Sequence, residues 1–364
     1  MHKSMSNAKL PSLRIGDIEV NPPIVQGGMG VRVSKANLAA AVANEGCVGV
    51  VSTVGLGKFE DYPGSEFVRL NEEALREELR KAKRMTDGII GVNVMVALSN
   101  YENLARTAAE EGVDLIISGA GLPLDLPKFA QGTSTKLIPI VCSARALHII
   151  CRKWKRRYNK TPDAVVVEGA KAGGHLGFGY EELLSGKNPS LDEMLFEVIE
   201  AANSYDPPIP VIAAGGIFDG KDIAHVLKLG ASGVQMATRF VCTNECDVHP
   251  DFKQAYLNAR EEDITIIKSP VGMPGRVLNN EFVAKIKRGE TVPFKCSYKC
   301  LRTCDPKTAP YCIAKVLVNA AEGNFDEAFA FSGSNSYRCT EIVSVKQLID
   351  QLSEETAYHL SRNA

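Results

Sequence analysis

The chain has 364 residues, with 42 Lys and Arg set against 43 Asp and Glu, for a formal net charge of -1. That balance supplies no global attraction to nucleic acid or to anionic membranes. No apolar run approaches the roughly 20 residues of a membrane helix, and the polar stretch 1–10 lacks the apolar core of a secretory signal, so a cytoplasmic protein is expected.

In chain order, short β-rich apolar runs predict strands over 23–26, 48–53, 89–96, 114–118, 136–142, 163–167, 211–214 and 233–236. Helical spacing predicts helices between most of them, over 35–44, 72–84, 102–111, 144–158, 191–202 and 221–229, while the connection after 118 is less regular. The alternation defines the α/β class, and its natural closure is a (β/α)8 TIM barrel, although an open doubly wound sheet shares the local pattern. The length suits one such barrel. The basic block 152–160 falls largely on the helix over 144–158 and is expected to be a solvated outer face rather than a nucleic-acid patch. Barrel boundaries are placed at 12–245, followed by a helical C-terminal cap over 246–341 and a returning helix over 342–364. Within the cap, helices are expected at 251–262 and 314–321 and a loop at 270–276.

The most informative stretch is VVVEGAKAGGHLG, residues 165–177. Valines favour a buried strand, and the glycines after it remove the Cβ atoms that would hold a bulky ligand away from the backbone. An isolated Gly-Gly-His is more often a tight turn with a structural histidine. This one is followed by PVIAAGGI (210–217) and GVQMATRF (233–240), two strands separated by a helix and therefore a parallel pair with a right-handed crossover. Small residues at both carboxyl ends can point amides at an anion, and Thr238 adds a hydroxyl, so a phosphate is expected there. In a barrel, the loop Gln26-Gly27-Gly28-Met29-Gly30, Asn93, Ser143, Gly173 to His175, Gly215, Gly216 and Thr238 would share one mouth.

Taken together, QGGMG (26–30), EGAKAGGH (168–175), AAGGI (213–217) and GVQMATRF (233–240) resemble the nitronate monooxygenases, formerly 2-nitropropane dioxygenases, and their relatives the FMN-dependent enoyl-acyl-carrier-protein reductases. The resemblance runs in order over residues 12–245, with SVKQL (344–348) similar to the start of the family's returning helix. It implies a noncovalent FMN whose phosphate rests on Gly215, Gly216, Ala237 and Thr238 and whose ring lies over the first-strand loop and Asn93. The implied cofactor contacts comprise Gln26, Gly27, Gly28, Met29, Asn93, Glu168, Gly173, Gly174, Gly215, Gly216, Gln235, Met236, Ala237 and Thr238. His175 falls on the family's active-site histidine. Ala237 departs from the pattern, since the family commonly has glycine there, and its methyl is expected to crowd the phosphate.

The activity so implied is oxidation of a nitronate by O2 to a carbonyl compound and nitrite, with His175 orienting or protonating the nitro group, or first removing a carbon-bound proton from a neutral nitroalkane. The alternatives are NAD(P)H-dependent reduction of an enoyl thioester and a non-enzymatic flavin store or redox sensor. Small-molecule partners are expected, with no nucleic acid or membrane and with a homodimer possible.

Ten cysteines remain. Cys47, Cys142 and Cys151 sit in apolar elements and read as core, while Cys242 and Cys246 carry no clear assignment. Cys296, Cys300, Cys304 and Cys312 form a tighter group, with Cys339 further on. Four thiolates can hold zinc or an iron-sulfur cluster, but the spacing matches neither paired zinc motifs nor ferredoxins, and on a helix the first three would line one face. The metal question stays open at this point.

Overall fold

The computed structural model describes residues 10–58 and 63–362. Eight parallel strands follow one another around the sheet: β1 (Ile24–Gln26), β2 (Gly49–Ser52), β3 (Ile90–Met95), β4 (Leu115–Gly119), β5 (Lys136–Val141), β6 (Val165–Glu168), β7 (Val211–Ala214) and β8 (Gly233–Met236). β8 pairs with β1 in the register Gln235 opposite Val25, and β1 meets β2 through the parallel bridge Val25–Val48. The sheet therefore closes into a (β/α)8 barrel, and the doubly wound alternative falls because β1 and β2 are not free edges. All eight strands lie within two residues of their expected bounds.

Six of the expected helices surround the barrel: α1 (Ala36–Asn44), α2 (Phe67–Met85), α3 (Tyr101–Glu110), α5 (Ala144–Tyr158), α6 (Leu191–Asn203) and α7 (Gly220–Lys228). The irregular connection after β4 holds only the four-residue α4 (Leu126–Phe129). α2 starts earlier than its periodicity indicates because a 3-10 turn, Gly64–Glu66, leads directly into it. In α5 the apolar stripe Leu147, Ile150, Cys151 and Trp154 faces inward. Arg152, Lys155 and Arg156 are exposed on the other side, as a solvated face requires. Ser143 was grouped with the mouth. Its hydroxyl instead accepts from the Ala146 amide and caps α5, which takes it out of the cavity.

Beneath the barrel, an antiparallel hairpin of Leu13–Ile15 and Ile18–Val20 drives Leu13, Ile15 and Val20 into the interior cluster of Val25, Val48, Ile117, Val166 and Ile212. Its three-residue strands are too short to show a period of two. The plug leaves the opposite end, where the strands' carboxyl termini lie, as the open one.

After β8 the chain builds the cap from α8 (Pro250–Leu257), α9 (Glu281–Lys287) and α10 (Ile313–Ala321), then returns through α11 (Val345–Ser361), which packs against α7. The helix expected over 251–262 stops at Leu257 and is followed by a 3-10 turn, Glu261–Asp263. The cap also carries a hairpin of β9 (Ile264–Lys268) and β10 (Pro274–Leu278). Part of the stretch expected as a loop at 270–276 is thus strand. β10 continues the pairing outward to the barrel, setting Gly275 opposite His175 and Arg276 opposite Gly174. Among the described residues, no helix is long and apolar enough to cross a membrane.

Candidate active site

The strand carboxyl ends and the cap enclose a cavity of about 250 Å³. Ser143 aside, every sequence-derived site residue reaches its wall except Gln26: Gly27, Gly28, Met29, Asn93, Glu168, Gly173, Gly174, His175, Gly215, Gly216, Gln235, Met236, Ala237 and Thr238 all line it. Gln26 lies behind the wall, where its amide donates to the Gly27 carbonyl and accepts from the Val50 amide at 2.9 Å. Its work is to fix the first-strand loop rather than to touch a ligand. Within that loop Gly28 runs so close to Asn93 that a Cβ would stand 2.4 Å from the asparagine's own Cβ. A side chain at residue 28 would collide with Asn93.

On the opposite side, β7 and β8 end in a nest. Gly215 and Gly216 take φ of +94° and +87°, left-handed backbone that disfavours any side chain. Over them folds a segment the sequence reading had not singled out, residues 332–335 of the cap. Asn335 Nδ2 donates to the Gly216 carbonyl at 2.7 Å, and the Ser334 amide donates to the Lys171 carbonyl at 3.1 Å. Gly333 lies against Thr238, where a Cβ would come 2.5 Å from the threonine Oγ1. A visible signal for this segment was its Ser-Gly-Ser-Asn composition, which matches that of the β7 and β8 ends in small residues and donors.

Ser332 Oγ, Ser334 Oγ and Gln235 Oε1 are buried on this wall with no hydrogen-bond partner among the described residues. Buried polar atoms are nearly always paired, and leaving one unpaired costs about 1–3 kcal/mol. A polar ligand on this wall could supply partners to all three. The exposed side chain of Lys171 stands at the rim of the nest and adds positive charge. The Ala237 methyl is turned toward Gly27, 3.2 Å from where a Cβ of that residue would sit, so the crowding it causes is directed at the first-strand loop.

His175 lies between the floor and the cap. Its ring meets Phe331 edge-on with centroids 4.8 Å apart, and its Nε2 is 2.8 Å from Ser269 Oγ in the turn of the cap hairpin. Burial pulls the imidazole down to about 4, so it is neutral at pH 7. Burial has the opposite effect on Glu168, raising its carboxyl to about 7. Arg276 latches the loop between them by donating to the carbonyls of Ala170 and Ala172. Ser269, Arg276 and Phe331 carried no sequence signal, because their partners are distant in the chain. Farther out, Phe67, Leu98, Leu301, Ile313, Ala314 and Leu317 make an apolar wall.

Cys300 also lines the cavity. The backbone through Cys296, Cys300 and Cys304 is irregular, so the helical-face alternative for these thiols falls. Packing of three thiols along one helical face is therefore not what groups them. The four cysteines nevertheless lie near one another: burial first, then Cys312, Cys296 and Cys304, push the Cys300 thiol up to about 12. Among the described residues, no group of three or more His, Cys, Asp or Glu is arranged to hold a metal ion. Elemental analysis for iron and zinc after anaerobic purification, with Cys300→Ser/Cys304→Ser as the control, reads the difference directly: a stoichiometric ion lost with the thiols establishes a metal site, and none leaves packing. Cys242 and Cys339 meet elsewhere as a buried thiol pair.

A closed α/β barrel with a glycine-rich nest at the ends of its last two strands and a buried histidine lining the same cavity defines a barrel enzyme. The nitronate monooxygenase family model matches residues 12–355, and the chain belongs to that family. It is an oxidoreductase, which sets aside the non-enzymatic alternative. It is 26% identical over 368 residues to a probable nitronate monooxygenase of Bacillus subtilis (strain 168), covering 92% of this chain and 95% of that protein. It is also 31% identical over 270 residues to (3aS,4S,5R,7aS)-5-hydroxy-7a-methyl-1-oxo-octahydro-1H-indene-4-carboxyl-CoA dehydrogenase of Rhodococcus jostii (strain RHA1), covering 74% of this chain and 66% of that one. Among solved structures, FabK from Thermotoga maritima superposes with a TM-score of 0.73 at 29% identity over 93% of this chain and 94% of its own. Nitroalkane oxidase from Streptomyces ansochromogenes, at 21% identity and a TM-score of 0.73 over 94% and 97% of the two chains, shares the fold.

Proposed function

We propose that this protein is an FMN-dependent nitronate monooxygenase, converting an alkyl nitronate and O2 to a carbonyl compound and nitrite. The observation that carries the reading is the nest of Gly215, Gly216, Thr238 and the 332–335 segment, with its unpartnered hydroxyls, beside a histidine held neutral. A terminal phosphate suits that nest, with Lys171 offsetting its charge. The close approach of Gly28 to Asn93, with no side chain at residue 28, suits a flat isoalloxazine ring. FMN, when bound, supplies the redox chemistry that protein side chains lack. The chain's own part is to orient the substrate's nitro group from His175 and to exclude water with the cap's apolar wall.

The purified protein is expected to be yellow and to release FMN, rather than FAD or riboflavin, on acid treatment. Chromatography of the released flavin and a nitrite assay with an alkyl nitronate in air check both parts. Colourless protein that takes up no added FMN would sink the flavin reading, and flavin-loaded protein that forms no nitrite would sink the nitronate one.

A second reading, NAD(P)H-dependent reduction of an enoyl thioester, is favoured by the apolar wall of Phe67, Leu98, Leu301, Ile313, Ala314 and Leu317, which suits an acyl chain, and by the likeness to FabK. Anaerobic stopped-flow with NADH followed by an enoyl thioester separates the two. Fast flavin reduction by NADH and fast reoxidation by the thioester would favour the second.

A further inference from the structure

We propose that Ser269 is a positioning residue that holds His175 in its Nδ1–H tautomer, so that the histidine meets the substrate as a hydrogen-bond donor rather than as a base. The inference rests on the proposed function for the identity of the substrate, but the tautomer itself follows from the hydrogen-bond arrangement alone.

His175 Nε2 lies 2.8 Å from Ser269 Oγ. That oxygen already accepts from the Val271 amide at 3.3 Å. The serine's place is fixed by its own turn, in which its amide donates to the Met273 carbonyl at 3.2 Å and its carbonyl accepts from Gly272 at 2.9 Å. Among the described residues, Nε2 is the one acceptor in reach of the hydroxyl proton. Were the ring to donate from Nε2, the hydroxyl would accept twice and its proton would be buried with no acceptor, a loss that the opposite arrangement avoids. The hydroxyl therefore donates to Nε2, and in a neutral imidazole the ring proton is then on Nδ1.

The ring is not free to turn that proton elsewhere. Gly275 pairs with the His175 backbone on one side, and Phe331 meets the ring edge-on. Among the described residues Nδ1 meets no hydrogen-bond partner, and His175 lines the cavity, which sets the Nδ1 proton toward that space. A donor there matches an oxygen that bears negative charge, such as a nitro oxygen of a nitronate or the carbonyl oxygen of a thioester as charge gathers on it. It does not match removal of a carbon-bound proton, which needs a bare nitrogen facing the substrate. A preformed nitronate should accordingly turn over far better than the neutral nitroalkane.

The test uses flavin-loaded protein carrying 15N-labelled histidine, with the His175 signals assigned by their loss in His175→Ala. Two-bond proton–nitrogen correlation at pH 7 is expected to show a protonated Nδ1 and a bare Nε2; a protonated Nε2 overturns the proposal. Ser269→Ala is expected to move the ring toward the other tautomer and to lower kcat with a nitronate on the order of tenfold, less than the cost of a wholly wrong tautomer, with flavin content unchanged. Ser269→Thr, which keeps the hydroxyl, should restore both. A wild-type tautomer and wild-type kcat in Ser269→Ala would remove the serine from any role. The nuclear magnetic resonance measurement needs no turnover. Wild-type protein that forms no nitrite yet shows Nδ1–H would therefore sink the nitronate reading while supporting this one, and it decides the tautomer even if Ser269→Ala fails to fold.

Discussion

His175→Ala is expected to keep its flavin and to lose roughly a hundredfold or more in turnover, the usual scale for removing one group that stabilises charge or moves a proton in the transition state. The ring faces the cavity from between β6 and the cap, whereas the nest is built from Gly215, Gly216, Thr238 and residues 332–335. Flavin retention and catalysis should consequently separate in this variant. Wild-type rates would show that His175 only packs.

The same substitution has a signature in stability. In the folded protein His175 titrates near 4, against an ordinary value of 6.5, so between those values the unfolded chain binds the proton that the folded one refuses. Stability from this group is complete above pH 6.5 and is lost as pH falls toward 4. Glu168 acts in the other direction: raised from 4.5 to about 7, it favours the folded state below pH 4.5 and loses that contribution as pH rises through 7. Thermal melts at pH 7 and pH 5 should show a smaller fall for His175→Ala than for wild type. An identical fall in both would mean that the ring is not shielded from solvent.

Gly216→Val is expected to abolish flavin retention. Its φ of +87° is one that a β-branched residue does not adopt without strain, and the added Cβ would press within 2.9 Å of the Lys171 Cβ. Because that strain also threatens folding, Gly333→Ala is the cleaner companion: its Cβ would intrude on the Thr238 hydroxyl in the middle of the nest without requiring left-handed backbone. FMN affinity in Gly333→Ala should fall on the order of tenfold or more, about 1.4 kcal/mol per decade. Circular dichroism confirms folding and fluorescence titration with FMN gives the affinity. Unchanged binding in both variants would place the phosphate elsewhere.

The barrel was legible because each strand is a short β-branched run between helices of clear period, and Val165 to Glu168 with Val211 to Ala214 carry that signal strongly. The nest was legible for a related reason: a glycine-ended strand alone is usually a turn, but two such strands joined by a helix, with Thr238 beside them, bring their amides to one place. Pairings between distant segments were hidden. Nothing in Leu13 to Val20 announces a barrel plug, and nothing in Ile264 to Leu278 shows that its second strand will align with Gly174 and His175. Ser269 is an ordinary turn serine until the hairpin folds against the barrel. The helical-face alternative for Cys296 to Cys304 could not be decided from sequence because a four-residue spacing is also compatible with irregular chain, and Pro293, Pro306 and Pro310 on either side disfavour helix.

The nest draws its two halves from residues far apart in synthesis. Gly216 and Thr238 are in place once the eighth strand has been made, but Ser332 to Asn335 follow only after the cap's hairpin and three helices. A nascent barrel can thus close around its own core well before it can hold a phosphate firmly. If FMN sits in the nest as proposed, firm capture of it requires the chain to be finished through residue 335. A product ending before residue 332 would hold every barrel strand and lack the clasp, so on the proposed reading added FMN should protect the full chain from proteolysis and leave the truncated one unprotected.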